Sequence, residues 1–393
     1  MAGTSSIAEL LRRNLRQSGI YIAFVAVIVL FAVLTGGDLL SPGNVTDVIG
    51  QYSYILILAI GMVMIIVAGH IDLSVGSVVA VTGAVAAVVT VQMGMPWWVG
   101  VVAALATGLV VGVWQGFWVA YVGIPAFIVT LAGMLIFRGL TWLVLDNVSI
   151  SPMPDAFQEI GGGYLNGLLG GAGFDAFTLF VGVFGVLGFA YFEWRARRAK
   201  LEYNQPVETL PLFILKIVLV GAVVMAIAQR LAYARGMPIV LLILAALVLI
   251  YGFVTKRSVF GRHIYAMGGN LSAAQLSGVN TKRVSFLLFV NMGVLASIAG
   301  IVYASKFNSA QPNAGNMFEL DAIAAAFVGG AAVTGGVGTV VGALVGGLFM
   351  AVMSNGMDLL DVGQPMQSVV KGIVLLLAVA FDIYNKRRAQ ATR

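Results

Sequence analysis

Two interruptions of the apolar sequence carry the side chains best suited to chemistry. One spans residues 68–77 and the other spans residues 329–338, just after Glu319 and Asp321, so each combines an acidic residue with small residues. Paired interruptions, one in each half of a membrane chain, are typical of a transport site between structural repeats. We therefore expect the pathway or its gate to include Asp72, Ser74, Ser77 and Asp321.

The same side chains also have purely structural interpretations. Asp72 directly precedes a helix predicted at 73–91, where its carboxylate would cap unpaired amide groups, and Asp321 stands at the start of another helix. Ser74 and Ser77 are three residues apart and share one helix face. Their hydroxyls could bond either a passing solute or the backbone. The sequence alone leaves these alternatives open.

The composition places the chain among membrane proteins. It is 60% hydrophobic and 10% charged, whereas soluble domains carry about 25% charged residues. Apolar runs of about 20 residues, the length that spans a bilayer, recur along most of the chain. We therefore predict a single all-α polytopic domain over residues 1–393, without a cleaved signal peptide.

Charge and cysteine content narrow the classes further. The chain has no cysteine, which excludes disulfides and thiolate metal sites, and the sequence suggests no other metal site. Of its 22 lysines and arginines, 16 fall in five clusters that flank apolar spans. The net charge of +6 therefore reflects membrane topology, with both termini cytoplasmic, and not nucleic-acid binding.

About 12 crossings are expected, with 10 as the alternative. The loops at 35–53, 146–174 and 357–366 hold acidic residues but no Lys or Arg, so they are expected outside. The Gly-rich region 321–356 must cross twice or not at all. The predicted spans cover residues 19–34, 54–69, 73–91, 97–121, 126–145, 174–191, 212–228, 237–254, 284–305 and 368–381. The expected flanking parts are a cytoplasmic N-terminal flank (1–18), a cytoplasmic loop (255–283) and a cytoplasmic tail (384–393).

The loop at 268–278 predicts a short capped helix in a charged connection. Asn270 is a suitable N-cap and Gly278 a suitable residue after the helix end. Small residues would give this helix a smooth face for another protein, although a plain interfacial connector is the alternative. The candidate docking residues are Gly268, Gly269, Asn270, Ser272, Ala273, Ala274, Ser277 and Gly278.

No G-x-x-x-x-G-K-[ST] motif is present, so the chain has no P-loop for ATP. Arg138 lies inside a predicted span, where an ionisable side chain is expected to pair with a carboxylate or to reach polar surroundings through a bend of the helix.

Several segments resemble the permease subunits of bacterial ABC importers for pentoses and hexoses, the ribose–galactose–xylose branch. The matching segments are AIGM at 59–62, IDLSVGS at 71–77, PAFIVTLAGM at 125–134, FGRHIYAMGGN at 260–270, SAQP at 309–312 and ELDAIAA at 319–325.

The resemblance implies a homodimer in the bacterial inner membrane, with ATP and Mg²⁺ bound by a separate ABC-type ATPase. It also implies a periplasmic sugar-binding protein. Gln311, Asn313 and Glu319 of the outer loop would meet that protein, or would simply be solvated. The docking loop of such importers follows E-A-A-x-x-x-G, and Ser272 replaces the glutamate here. The length and an apparent inserted helix pair at 174–229 resemble the xylose permeases, so xylose is expected ahead of ribose, arabinose or galactose.

Three other classes compete with this interpretation. A gradient-driven secondary transporter would need a proton relay in the membrane, and His70 with Asp72 is the nearby candidate pair. A membrane enzyme would need a catalytic cluster, which no loop provides. A passive channel would leave the capped loop unexplained.

Overall fold

The computed structural model describes residues 15–391 except residues 172, 204 and 206. Fifteen helices account for nearly all of this part, which confirms the predicted all-α class. Residues 1–14 of the predicted N-terminal flank lie outside the described residues. The helices are α1 (Leu15–Leu34), α2 (Pro42–Val67), α3 (Val75–Ala87), α4 (Trp97–Phe117), α5 (Ala126–Val144), α6 (Asp155–Gly162), α7 (Ala176–Glu202), α8 (Leu210–Ala232), α9 (Ile239–Arg257), α10 (Val259–Gly269), α11 (Leu271–Leu276), α12 (Thr281–Lys306), α13 (Phe318–Val328), α14 (Val340–Leu359) and α15 (Gln364–Ala391).

The candidate membrane spans are set by length and composition. Among the described residues, nine helical segments are long and apolar enough to cross a bilayer, and shorter apolar stretches lie in α1 and α15. α13 has 11 residues, so it is about 16 Å long, roughly half of an apolar core of about 30 Å. The expected number of crossings, about 12 with 10 as the alternative, therefore stays a prediction.

The two ends of the helix bundle differ in charge. We call one the basic end; it carries Lys256, Arg257, Arg262, Lys282 and Arg283. We call the other the acidic end; it carries Asp38, Asp146, Asp155 and Asp361. α13 begins well inside the bundle, where Phe318 stacks on Tyr54 of α2 with ring centres 4.5 Å apart. It runs toward the basic end.

α2 forms the core of the bundle. Its apolar window is 83% buried within the protein, whereas the windows of α7 and α8 are each 11% buried. A helix that is apolar all round is stable where other helices surround it. α7 and α8 pack on each other through Gly182 and Ala228, and they leave most of their apolar side chains for lipid.

One predicted loop is wrong. Residues 42–53, expected outside the membrane as part of the loop at 35–53, form the first three turns of α2. The Ser41 hydroxyl accepts a hydrogen bond from the amide of Asn44 (3.4 Å), and Pro42 occupies the first helical position. A serine N-cap followed by proline is a strong helix start. The polar residues Asp47 and Gln51 concealed this start in the sequence.

The Gly-rich region 321–356 contributes to α13 and α14, which pack against each other. Only glycine allows this approach, since a Cβ built on Gly346 would lie 2.0 Å from the carbonyl oxygen of Ala325. A Cβ on Gly342 would likewise lie 2.3 Å from the carbonyl oxygen of Gly329. Glycines four residues apart are typical of such close helix packing in membranes.

A short segment packs over part of the acidic end. It contains α6 and two paired strands, β1 (Tyr164–Leu165) and β2 (Met237–Pro238), which run antiparallel. Ile150 bridges to Ala310, and the side chain of Asn308 accepts a hydrogen bond from the amide of Met153 (2.8 Å). These contacts hold the segment between α12 and α13 in place.

Candidate functional site

The first interruption is a buried turn between α2 and α3. One carboxylate oxygen of Asp72 accepts hydrogen bonds from the amide (2.9 Å) and the hydroxyl (2.6 Å) of Ser74. The side-chain amide of Gln115 in α4 donates to the same hydroxyl (2.6 Å). All three side chains are buried. Asp72 therefore stabilises the turn through its hydrogen bonds to Ser74. Ser74 is the N-cap residue of α3.

The first interruption meets the start of α13 at Gly76. A Cβ there would lie 2.2 Å from the carbonyl oxygen of Gly315 and 2.4 Å from a carboxylate oxygen of Glu319. Only glycine permits this approach. The Ser77 hydroxyl and the Glu319 Oε2 atom are both buried without a hydrogen-bond partner among the described residues. The contact joins parts of the sequence that are more than 200 residues apart.

Glu319 requires a correction. It was expected on an outer loop facing another protein, but it is the second residue of α13 and is buried. Burial leaves its carboxylate unable to reach a partner at the surface. Gln311 and Asn313, expected in the same group, are exposed on the segment between α12 and α13.

Arg138 holds this segment inside the bundle. Its guanidinium donates to the carbonyl oxygen of Ala314, one residue before the contact at Gly76. The expected carboxylate, Glu319, lies within electrostatic range, but the hydrogen bond goes to the backbone. An arginine inside a membrane protein is stable where it meets a carbonyl oxygen and a carboxylate of this kind.

Asp321 belongs to a different environment. Its carboxylate lies 3.1 Å from the ammonium group of Lys371 in α15. Residues two positions apart on a helix do not share a face, so Asp321 and Glu319 point to different sides of α13. The structure therefore brings Asp72, Ser74 and Ser77 together but separates Asp321 from them.

Asp321 and Lys371 line a cavity of about 550 Å³ between α2, α13, α14 and α15. Tyr52, Asp358 and Gln367 extend its polar wall. This group was not predicted from the sequence, although the position of Lys371 indicates it. A lysine within the apolar stretch of α15 requires a partner, and Asp321 is a carboxylate of another span.

The loop at 268–278 forms the predicted capped helix, now α11. The Asn270 side chain accepts a hydrogen bond from the amide of Ala273 (2.9 Å), which confirms the N-cap. Gly278 follows the helix with φ +83°, a conformation that favours glycine. The Ser277 hydroxyl donates to the carbonyl oxygen of Ala273 (2.8 Å).

The exposed face of α11 differs from the expected one. Ala274 is buried against the bundle and is not available to a partner, because helix residues that face the bundle pack on it. Ser272, Ala273 and Ser277 remain exposed. Leu276 is 91% exposed.

Gly268 and Gly269 have different surroundings. A Cβ on Gly268 would lie 1.6 Å from the carbonyl oxygen of Val67 and 2.5 Å from the amide of Gly336, whereas one on Gly269 would meet nothing within 4 Å. The Gly336 amide donates to the same Val67 carbonyl (2.8 Å). We call this contact of Val67, Gly268 and Gly336 the glycine junction. It joins α10 to the end of α2 and to the segment after α13.

Comparison with known proteins gives consistent matches. Residues 44–379 match the family described as the permease component of branched-chain amino acid transport systems. The chain is 39% identical over 375 residues to the xylose transport system permease protein XylH of Haemophilus influenzae, covering 95% of this chain and 98% of that protein. No solved structure matches the chain.

Two further relatives support the same grouping. The XylH protein of Escherichia coli K12 is 40% identical over 378 residues, covering 96% of this chain and 94% of that protein. The ribose import permease protein RbsC of H. influenzae is 33% identical over 368 residues, covering 92% of each chain. These similarities confirm the resemblance inferred from the sequence.

The buried turn predicts different effects for its two serines. Ser74→Ala removes the link between Asp72 and Gln115 and leaves buried polar groups unpaired, so it should lower the free energy of unfolding by about 1–3 kcal/mol. Ser77→Ala removes a hydroxyl without a partner among the described residues and should be close to neutral. Denaturant unfolding in one detergent measures both, and equal losses would contradict the proposed network.

Proposed function

The chain belongs to the family of permease components of branched-chain amino acid transport systems, and from this premise we propose that it is the membrane permease of an ATP-driven monosaccharide importer. The single observation that supports this most is the 39–40% identity to xylose permeases over nearly the whole chain. D-xylose is the proposed sugar, ahead of ribose, arabinose or galactose.

The proposed machine has several components. Two copies of this chain form the pathway in the bacterial inner membrane, with the basic end and both termini on the cytoplasmic side. A periplasmic sugar-binding protein docks at the acidic end, where Gln311 and Asn313 are exposed. ATP and Mg²⁺ bind to a separate ATPase, which contacts the exposed face of α11.

The glycine junction supports a route from that ATPase to the pathway. Movement of α11 reaches α10 directly, and Gly268 is in contact with both Val67 and Gly336. Val67 leads into the turn that holds Asp72, and Gly336 follows α13. The Tyr265 hydroxyl adds a hydrogen bond to the carbonyl oxygen of Gly338 (2.7 Å). Packed helices with two discrete arrangements transmit such a displacement.

The side chains give no support to a proton relay between His70 and Asp72. A ring nitrogen of His70 lies 3.2 Å from the Ser285 hydroxyl, and Asp72 accepts its hydrogen bonds from Ser74. The reconstitution experiment also distinguishes an ATP-driven importer from a gradient-driven transporter.

The decisive experiment is reconstitution in proteoliposomes with an ATP-binding subunit and a sugar-binding protein from the same organism. D-xylose uptake should require ATP and both partners, and ribose, arabinose and galactose should be taken up more slowly. Uphill accumulation by the chain alone would contradict the proposal. Uptake that survives without ATP but collapses with an uncoupler would favour a secondary transporter.

The glycine junction offers a matched pair of variants. Gly268→Ala forces a methyl group against the backbone of Val67 and should abolish most sugar-stimulated ATP hydrolysis, whereas Gly269→Ala should behave like the wild type. Tyr265→Phe should reduce the same stimulation less severely. ATPase activity with and without loaded binding protein measures coupling. Equal behaviour of Gly268→Ala and Gly269→Ala would refute the route.

The exposed Leu276 of α11 is expected to contribute to the affinity for the ATP-binding subunit. Leu276→Ser should weaken binding of the ATP-binding subunit by about ten- to a hundredfold, the effect of losing one buried leucine. Val148→Ser, at a side chain that is 65% exposed near the acidic end, serves as the control and should leave binding unchanged. Titration in detergent provides the dissociation constants, and unchanged binding by Leu276→Ser would place the contact elsewhere.

A further inference from the structure

The cavity between α2, α13, α14 and α15 has one strongly polar wall. Besides the pair formed by Asp321 and Lys371, the Tyr52 hydroxyl donates to Asp358 (3.3 Å). The side-chain amide of Gln367 donates to the other oxygen of the same carboxylate (2.6 Å). An ammonium group has three donors and a carboxylate about four acceptor positions, so this wall keeps donors and acceptors for a ligand.

Part of the cavity wall is aromatic. Phe307 lines the cavity with 43% of its surface exposed, and the half-buried Phe318 lines it beside Phe307, with its ring stacked on the buried Tyr54. The faces of aromatic rings carry partial negative charge, which attracts the weakly positive C–H bonds of a ligand. A ring of carbon atoms with hydroxyls at its edge and C–H bonds on its faces matches both walls.

The charges disfavour an anionic ligand. Lys371 and Asp321 neutralise each other, and the Asp358 carboxylate accepts its hydrogen bonds, among the described residues, from the neutral Tyr52 and Gln367. A free amino acid would need an unpaired cation for its carboxylate, and the described residues of the cavity lining offer none. A neutral polyol needs no such cation, and the volume of about 550 Å³ lies within the usual range for small ligands, about 300–1,000 Å³.

We propose that this cavity is a weak binding site for a monosaccharide in the pathway, with the polar wall bonding its hydroxyls and the aromatic wall packing on its C–H face. The inference rests on the proposed function and deepens it. Binding is weak because each hydrogen bond to the sugar replaces one to water, so its net contribution is only about 0.5–1.5 kcal/mol. A weak site allows the sugar to leave after each cycle.

The absence of native cysteine makes a direct test possible. Ser368 lines the cavity and is exposed, so Ser368→Cys places one thiol at its rim. In lipid nanodiscs, D-xylose at ten times its dissociation constant should slow alkylation of this thiol about tenfold. Ser149→Cys, exposed at the acidic end away from the cavity lining, should react at the same rate with and without sugar.

A second pair of variants ties protection to the cavity wall. Lys371→Met in the Ser368→Cys background should remove most of the protection by sugar. Lys216→Met breaks the ion pair with Glu193 (2.7 Å) on the peripheral helices and should keep the protection. Tyr52→Phe provides a milder change of the same wall, with partial loss expected.

The outcomes separate the binding site from the proposed function. Absence of protection, equal slowing at Ser149→Cys, or protection that survives both Lys371→Met and Tyr52→Phe would overturn the site. If reconstituted importer still takes up D-xylose in that case, the proposed function stands without it. Protection in a chain that fails to support ATP-dependent uptake would support the site and refute the importer.

Discussion

The structure depends on one constraint: a bilayer offers no water to polar groups, so every interruption of a helix must find its partners within the protein. The turn after α2 meets this constraint through Asp72, Ser74 and Gln115. The segment before α13 meets it through Arg138 and through the close contact at Gly76. Because these two segments support each other, irregular backbone persists inside an otherwise helical bundle.

α13 is the element that these contacts position. One side presents Glu319 to the buried turn, another presents Asp321 to the polar cavity, and its end leads to the glycine junction. The helix has only 11 residues, so these three places lie close together along it. The cavity, the buried turn and the glycine junction are therefore parts of one connected arrangement.

The all-α class and the cap of α11 could be predicted from sequence because they depend on local composition and spacing. The pairing of Asp321 with Lys371 could not, since it requires knowing which helices are neighbours across 50 residues. Burial of Glu319 and Ala274 was missed for the same reason: each belongs to a local pattern that also suits an exposed residue. The start of α2 was missed because polar residues concealed a valid helix cap.

The burial of α2 also has a consequence for the order of events during synthesis. Its neighbour α12 begins at residue 281, 214 residues after α2 ends at residue 67 (281 − 67 = 214). At about 5–20 residues per second the ribosome needs roughly 10–40 s to cover that distance. α2 therefore waits in lipid without this neighbour, and the core of the molecule closes only when the last third of the chain emerges.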